Sequence, residues 1–337
     1  MTHLYNQFDQ LLSFINLDAE VLAATRERLA VARSSAEKHP EGRRSYASGS
    51  IAAHTHIQPH GDKVSDGDGG IILDRVKHPS LGPDGAYETP HEITSKLVAF
   101  VGAEIRQNYR KARVYKSKRG LKIHFGAPVN GIDVTIDLIV TLARREGRGL
   151  WIPNLHKEGR KAWEACDPIG HAELLNSAPD ALRRMRRKAI RLLKAWNAQM
   201  TVPGFSSHNL SVWAYEFIEP GMGLVPAIHT VMSKAAQRMD SGKPTPDPLE
   251  VSPDIQPLVT YETAERRLRL AAAKLQTAQD APDDVDAVRE ALAYLFPKTM
   301  SEIDSSFYTS GRLRTTGQLG LAGASLVLPK NRSWRTQ

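Results

Sequence analysis

The stretch Ile132-Asp-Val-Thr-Ile-Asp-Leu-Ile-Val-Thr141 constrains this chain more than any other. Its β-branched residues favour a pleated, half-buried strand over a helix. Asp133 and Asp137 interrupt it. Side chains four residues apart in a strand share a face, so both carboxylates emerge on the same side. An aspartate set among Ile, Val and Leu costs several kcal/mol unless it is paired or binds a metal. The sequence therefore calls for a sheet with acidic groups planted on one face.

A second acidic pair, Asp66-Gly67-Asp68, follows sixteen residues after Gly49-Ser50. On an extended backbone, side chains at i and i+2 face the same way. Gly49 lets backbone amides approach an anion, Ser50 adds a hydroxyl, and a helix starting at Ile51 points its positive end there. Two carboxylates beside an anion site are a poor arrangement unless a divalent cation sits between them. With a third aspartate from the later strand, either Asp137 or Asp133, the set would hold two magnesium ions roughly 3.5–4 Å apart. That arrangement serves in-line displacement at phosphorus. His54, His56 and His60 have no cysteine or carboxylate at a spacing that completes a zinc set.

Around these residues the periodicity alternates between helix and strand. The first forty residues read as helical, with Val21, Thr25, Leu29 and Ala32 on one stripe and Asn16 or Asp18 as cap. Between Tyr46 and Gly85 the pattern predicts a turn into a short helix, a loop, then a strand containing Ile71-Ile72-Leu73. Thr89-Pro90 opens a helix carrying Ile93, Leu97, Val101 and Ile105. Short strands follow at 112–115 and 121–125. From about Gly170 the chain turns helical and basic, with an arginine run between Arg183 and Arg191 inside the helix 181–198. A proline-rich break at 241–257 precedes helices at 261–281 and 285–295, and the acid-free stretch from Ser305 reads as a basic tail.

The 337 residues carry a net charge of +8, which favours anionic partners such as nucleotides. Whether nucleic acid is among them stays open. Cys166 is the only cysteine, which excludes an intramolecular disulfide, a four-cysteine zinc ribbon and a ligated iron–sulfur cluster and fits a reducing cytoplasm. No run of 18 apolar residues would span a membrane, and the first residues lack the pattern of a secretory signal.

Gly49-Ser50, Thr55, Pro59, Asp66-Gly-Asp68-Gly-Gly-Ile71 and Ile136-Asp137-Leu138 together resemble the polymerase-β nucleotidyltransferase superfamily. Within it they are most similar to the cGAS/DncV-like nucleotidyltransferases (CD-NTases). Arg191-Leu-Leu-Lys194-Ala-Trp196-Asn197 and Phe205-Ser206-Ser207 resemble the helical domain of that family, and Asp167-Pro168-Ile-Gly-His171 a connector. The resemblance covers roughly residues 8–300. One position departs from it: the residue between the paired aspartates is usually apolar and here is Gly67, which predicts a looser strand.

The resemblance implies an α/β (α+β) protein, bilobal, with a polymerase-β-like core on a mixed sheet and a C-terminal helical lobe. The expected division is 1–169 for the N-terminal helix and core, 170–304 for the helical domain and 305–337 for the tail. It implies that Asp66, Asp68 and Asp137 hold two Mg²⁺ ions, with Mn²⁺ as an alternative and Asp133 as the alternate third ligand. Gly49, Ser50, Lys194 and one of Ser206 or Ser207 would contact the nucleotide phosphates. The implied reaction joins NTPs, ATP or GTP foremost, into a cyclic di- or trinucleotide with release of pyrophosphate, in bacterial anti-phage (CBASS) signalling. The tail would offer a site to an activating or conjugating protein. Competing expectations are a linear oligonucleotide synthase, nucleotide transfer to RNA or protein, and an idle nucleotide- or nucleic-acid-binding module.

Overall fold

The computed structural model describes residues 2–59 and 64–303. The basic tail and His60 lie outside the described residues. In chain order the elements are α1 (His3–Phe14), α2 (Ala19–Glu37), β1 (Gly42–Ser48), α3 (Gly49–Ala53), β2 (Val64–Leu73), α4 (His91–Asn108), β3 (Arg113–Ser117), β4 (Gly120–His124) and β5 (Asp133–Ala143). There follow β6 (Leu150–Pro153), β7 (Trp163–Cys166), α5 (Pro168–Asn176), α6 (Asp180–Ala198), α7 (Ser207–Phe217), α8 (Leu224–Asp240), α9 (Tyr261–Asp280) and α10 (Val285–Leu295).

These elements fall into two compact units that do not follow the linear division drawn from the sequence. One holds residues 17–178 and 246–254; the other holds 2–16, 179–245 and, within the described chain, 255–303. The helical stretch expected over the first forty residues is thus two helices. Asp18 starts the second, its carboxylate accepting from the amides of Glu20 and Val21.

The first unit is built on a seven-stranded sheet in the order β1-β2-β5-β4-β3, with β6 beside β5 and β7 beside β6. Only β2 and β5 pair in parallel; every other pairing is antiparallel, so the sheet is mixed. Alternation along β5 sends Val134, Ile136, Leu138, Val140 and Leu142 to one side, all at most 1% exposed. Leu29 and Ala32 of α2 and Ile93, Leu97, Val101 and Ile105 of α4 belong to the same apolar core. Helix α4 begins at His91, with Pro90 in the capping position.

Gly67 sits on that helix-covered side. A Cβ there would stand 2.6 Å from Ile136 Cδ1 and 3.2 Å from Thr25 Cγ2, so the missing side chain lets α2 lie close against β2. The looseness expected at Gly67 is not found. Strand β2 runs unbroken, and all ten of its residues, Val64 to Leu73, register against β5.

The helical unit packs around aromatic side chains. Trp196 of α6 stacks on Phe205 at 6.1 Å, and Phe205 meets Trp213 of α7 edge-on at 4.8 Å. Phe8 of α1 contacts Phe296, just past α10, in a T-shape at 6.5 Å. None of the described helices is long and apolar enough to cross a membrane.

Candidate active site

The parallel pairing of β2 with β5 decides which aspartates meet. Asp68 and Asp137 are direct register partners, and Asp66 is opposite Thr135, one row away on the same face. Asp133 shares the face but partners Val64 at the start of the strand, four residues from Asp137. Asp66, Asp68 and Asp137 thus leave the sheet on one face, on the side opposite α2 and α4.

Gly49 and Ser50 reach this group through β1. That strand pairs antiparallel with β2, setting Ser48 opposite Asp68, and the chain then turns into α3. Gly49 makes the turn with φ +61°, a conformation that disfavours any side chain.

Two residues that the sequence reading passed over complete the group. Thr135 is fully buried, and its hydroxyl donates to Asp66 Oδ1. Lys122 of β4 is the register partner of Asp137. Its ammonium donates to Asp137 Oδ2 at 2.8 Å and to Asp66 Oδ1 at 3.0 Å. Burial works against the Lys122 charge, but the bonds to Asp137 and Asp66 outweigh it and lift the lysine above its ordinary value. His124 lies two residues further along β4, and its ring stacks on Tyr115, whose hydroxyl is 2.7 Å from His124 Nε2.

The donor set suits a divalent cation. Three carboxylates offer hard oxygen ligands on one face, and the ammonium at Lys122 shows that Asp66 and Asp137 already point at a common cationic group.

Lys194, Ser206 and Ser207 belong to the helical unit. Lys194 is partly buried on α6. Ser206 caps α7, its hydroxyl accepting from the Asn209 amide at 3.1 Å, and Ser207 is the exposed first residue of that helix. The turn between α6 and α7 is tied by Asn197, which accepts from the amides of Gly204 and Phe205 and donates to the Phe205 carbonyl. Two arginines of α6 tie it to neighbouring segments. Arg186 donates to the carbonyls of Tyr215 and Ile218 and lies over the Tyr215 ring, and Arg191 donates to Asn16.

A mixed sheet with this carboxylate row, joined to a bundle of helices, has the cGAS/DncV-like nucleotidyltransferase (CD-NTase) fold. The structure is similar to CdnG of Bradyrhizobium diazoefficiens, solved in complex with GTP: TM-score 0.68 and 18% identity, covering 89% of this chain and 97% of that one. It is similar to CdnC of E. coli MS115-1, solved with ATP, at TM-score 0.62 and 15% identity over 89% and 99% of the two chains. Similarity to Vibrio cholerae DncV, a cyclic AMP-GMP synthase solved with nonhydrolyzable GTP, has TM-score 0.56 and 16% identity over 76% and 69%. No protein-family model and no curated protein matches the sequence.

Proposed function

We propose that the chain is a metal-dependent nucleotidyltransferase that joins NTPs into a cyclic di- or trinucleotide and releases pyrophosphate. The observation that carries this reading is the facing pair Asp68 and Asp137, with Asp66 one row away on the same face. Structural neighbours that include a cyclic AMP-GMP synthase and proteins solved with GTP or ATP support it.

Asp66, Asp68 and Asp137 would hold Mg²⁺ or Mn²⁺, which supplies Lewis-acid charge and lowers the pKa of an attacking ribose hydroxyl. Thr135 fixes the orientation of Asp66 through its hydroxyl. Gly49 and Ser50, at the turn into α3, offer an amide and a hydroxyl to the phosphates beyond the reacting phosphorus. The ribose hydroxyl loses its proton to solvent as its oxygen bonds to the α-phosphorus, the bond to the bridging oxygen breaks, and pyrophosphate carries that electron pair away. Lys194 with Ser206 or Ser207 is the helical unit's share of phosphate binding. A second transfer closes the ring.

The setting we propose is the bacterial cytoplasm, where NTPs are available, in CBASS anti-phage signalling. A protein partner acts through residues 305–337, which lie outside the described residues. CdnC has been solved in a complex with HORMA-deltaN, which supports a partner of that kind.

The test is incubation of the purified chain with labelled NTPs and Mg²⁺ or Mn²⁺. A phosphatase-resistant product whose mass matches a cyclic oligonucleotide is expected. A phosphatase-sensitive ladder, label on RNA or protein, or no turnover with both ions overturns the reading.

A further inference from the structure

Lys122 lies on the carboxylate face and has no part in the proposed chemistry. The rows of the sheet place it beside Asp137 and across from Tyr115, so it leaves the sheet on the acidic side. Its side chain is 22% exposed, and its ammonium spans Asp66 and Asp137 rather than reaching into solvent. Thr135 bonds the same oxygen of Asp66 that Lys122 bonds, which fixes one end of the bridge.

We infer that Lys122 is a resident counterion that holds the carboxylate site against divalent cations until a triphosphate draws it away. This deepens the metal-dependent reading above and rests on it. The ammonium takes up one oxygen of Asp137 and one of Asp66, atoms that a magnesium ion would otherwise approach to about 2.0–2.1 Å. The two cations compete for these oxygens and repel one another. At an effective dielectric near 20, a unit charge so close to the carboxylates is enough to weaken the affinity of a competing ion by roughly tenfold or more. A polyphosphate offers the ammonium anionic acceptors of its own, and the four-carbon stem lets the lysine follow them. Nucleotide arrival and metal loading are then coupled, each favouring the other by the same factor. A free ion alone displaces the ammonium only at concentrations roughly tenfold above those the bare carboxylates would need.

Manganese alone is the probe, titrated into the full chain and read by the electron paramagnetic resonance of the free ion. Lys122→Met is expected to bind Mn²⁺ roughly tenfold more tightly than the unsubstituted protein. A nonhydrolysable ATP analogue, after correction for the manganese it chelates, should raise the affinity of the unsubstituted protein more than that of the variant. Equal affinities of the two proteins for Mn²⁺ alone overturn the inference.

A second measurement needs no variant. Reductive methylation of Lys122, followed by mass spectrometry, should accelerate severalfold when Mn²⁺ saturates the unsubstituted protein, because the displaced ammonium becomes accessible. An unchanged rate overturns the inference. If the unsubstituted protein takes up no Mn²⁺ even with the analogue, the metal-site reading fails, and the inference falls with it.

Discussion

The Asp68 carboxyl group lies against the α-carbon of Gly49, in the space that any side chain at that position would fill. The turn also needs φ +61°. Gly49→Ala therefore meets two obstacles, a left-handed backbone and a collision with a proposed metal ligand. The backbone alone costs about 1–2 kcal/mol, measurable by urea unfolding. Displacement of Asp68 should remove nucleotide joining in an NTP turnover assay while the circular dichroism spectrum stays folded.

Asp68→Asn and Asp137→Asn should each abolish product formation and change the melting temperature little, since both side chains are partly exposed. Thr135→Val removes the hydroxyl that steadies Asp66 and keeps the shape. It should weaken manganese affinity by roughly 10–100-fold, as loss of such a supporting bond does at other metal sites. An NTP turnover assay with thermal melts checks the two aspartate variants, and titration of Thr135→Val with Mn²⁺ in the presence of an ATP analogue checks the third.

Gly67→Val would drive a side chain into Ile136 and Thr25. The expected loss is about 1–3 kcal/mol of stability, as for other overpacked cores. Chemical denaturation gives the figure directly. Strand looseness at Gly67 would instead make the substitution neutral or stabilising.

Ser206 and Ser207 separate a structural role from a binding one. Ser206→Ala removes the α7 cap and should cost about 1 kcal/mol in thermal unfolding. Ser207→Ala loses no cap and should leave stability unchanged. If Ser207 is the phosphate contact, it alone will raise the KM for NTP at full stability.

A pH-dependent contribution comes from the segment 246–254, which groups with the sheet unit. Burial would raise the Asp247 carboxyl, but the Ser252 amide, the His171 ring and the Val251 amide outweigh it and hold it down to about 2. A carboxyl lowered in the folded state stabilises above its unfolded value, near 3.9, and loses that stabilisation as pH falls toward 2. Between pH 5 and pH 3 the unsubstituted protein should lose about 1 kcal/mol more than Asp247→Asn. Urea midpoints at the two pH values measure the difference.

The elements that the sequence showed plainly were those whose signal is local. Helix α4 carries Ile93, Leu97, Val101 and Ile105 at constant spacing, and β5 concentrates β-branched residues around its aspartates. Strand β1, Gly-Arg-Arg-Ser-Tyr-Ala-Ser, gave no hydrophobic alternation because it lies at the sheet edge, with Arg43 and Arg44 exposed and only Tyr46 and Ser48 buried. Within the acidic site, the Asp pair stood out because aspartate is rare in strands. Lys122 and Thr135 did not. A lysine in a short strand and a threonine in a β-branched run are ordinary there, and their meaning depends on partners 56 and 69 residues away.

The order in which the chain visits its two units has a practical side. It changes unit at 16–17, 178–179, 245–246 and 254–255, so neither unit is one continuous piece of sequence. Cutting the gene at any one of these junctions strands part of a unit in the wrong fragment. A fragment meant to carry the whole of the sheet unit has to join residues 246–254 to 17–178. Simple truncation leaves each unit without a piece of its own chain.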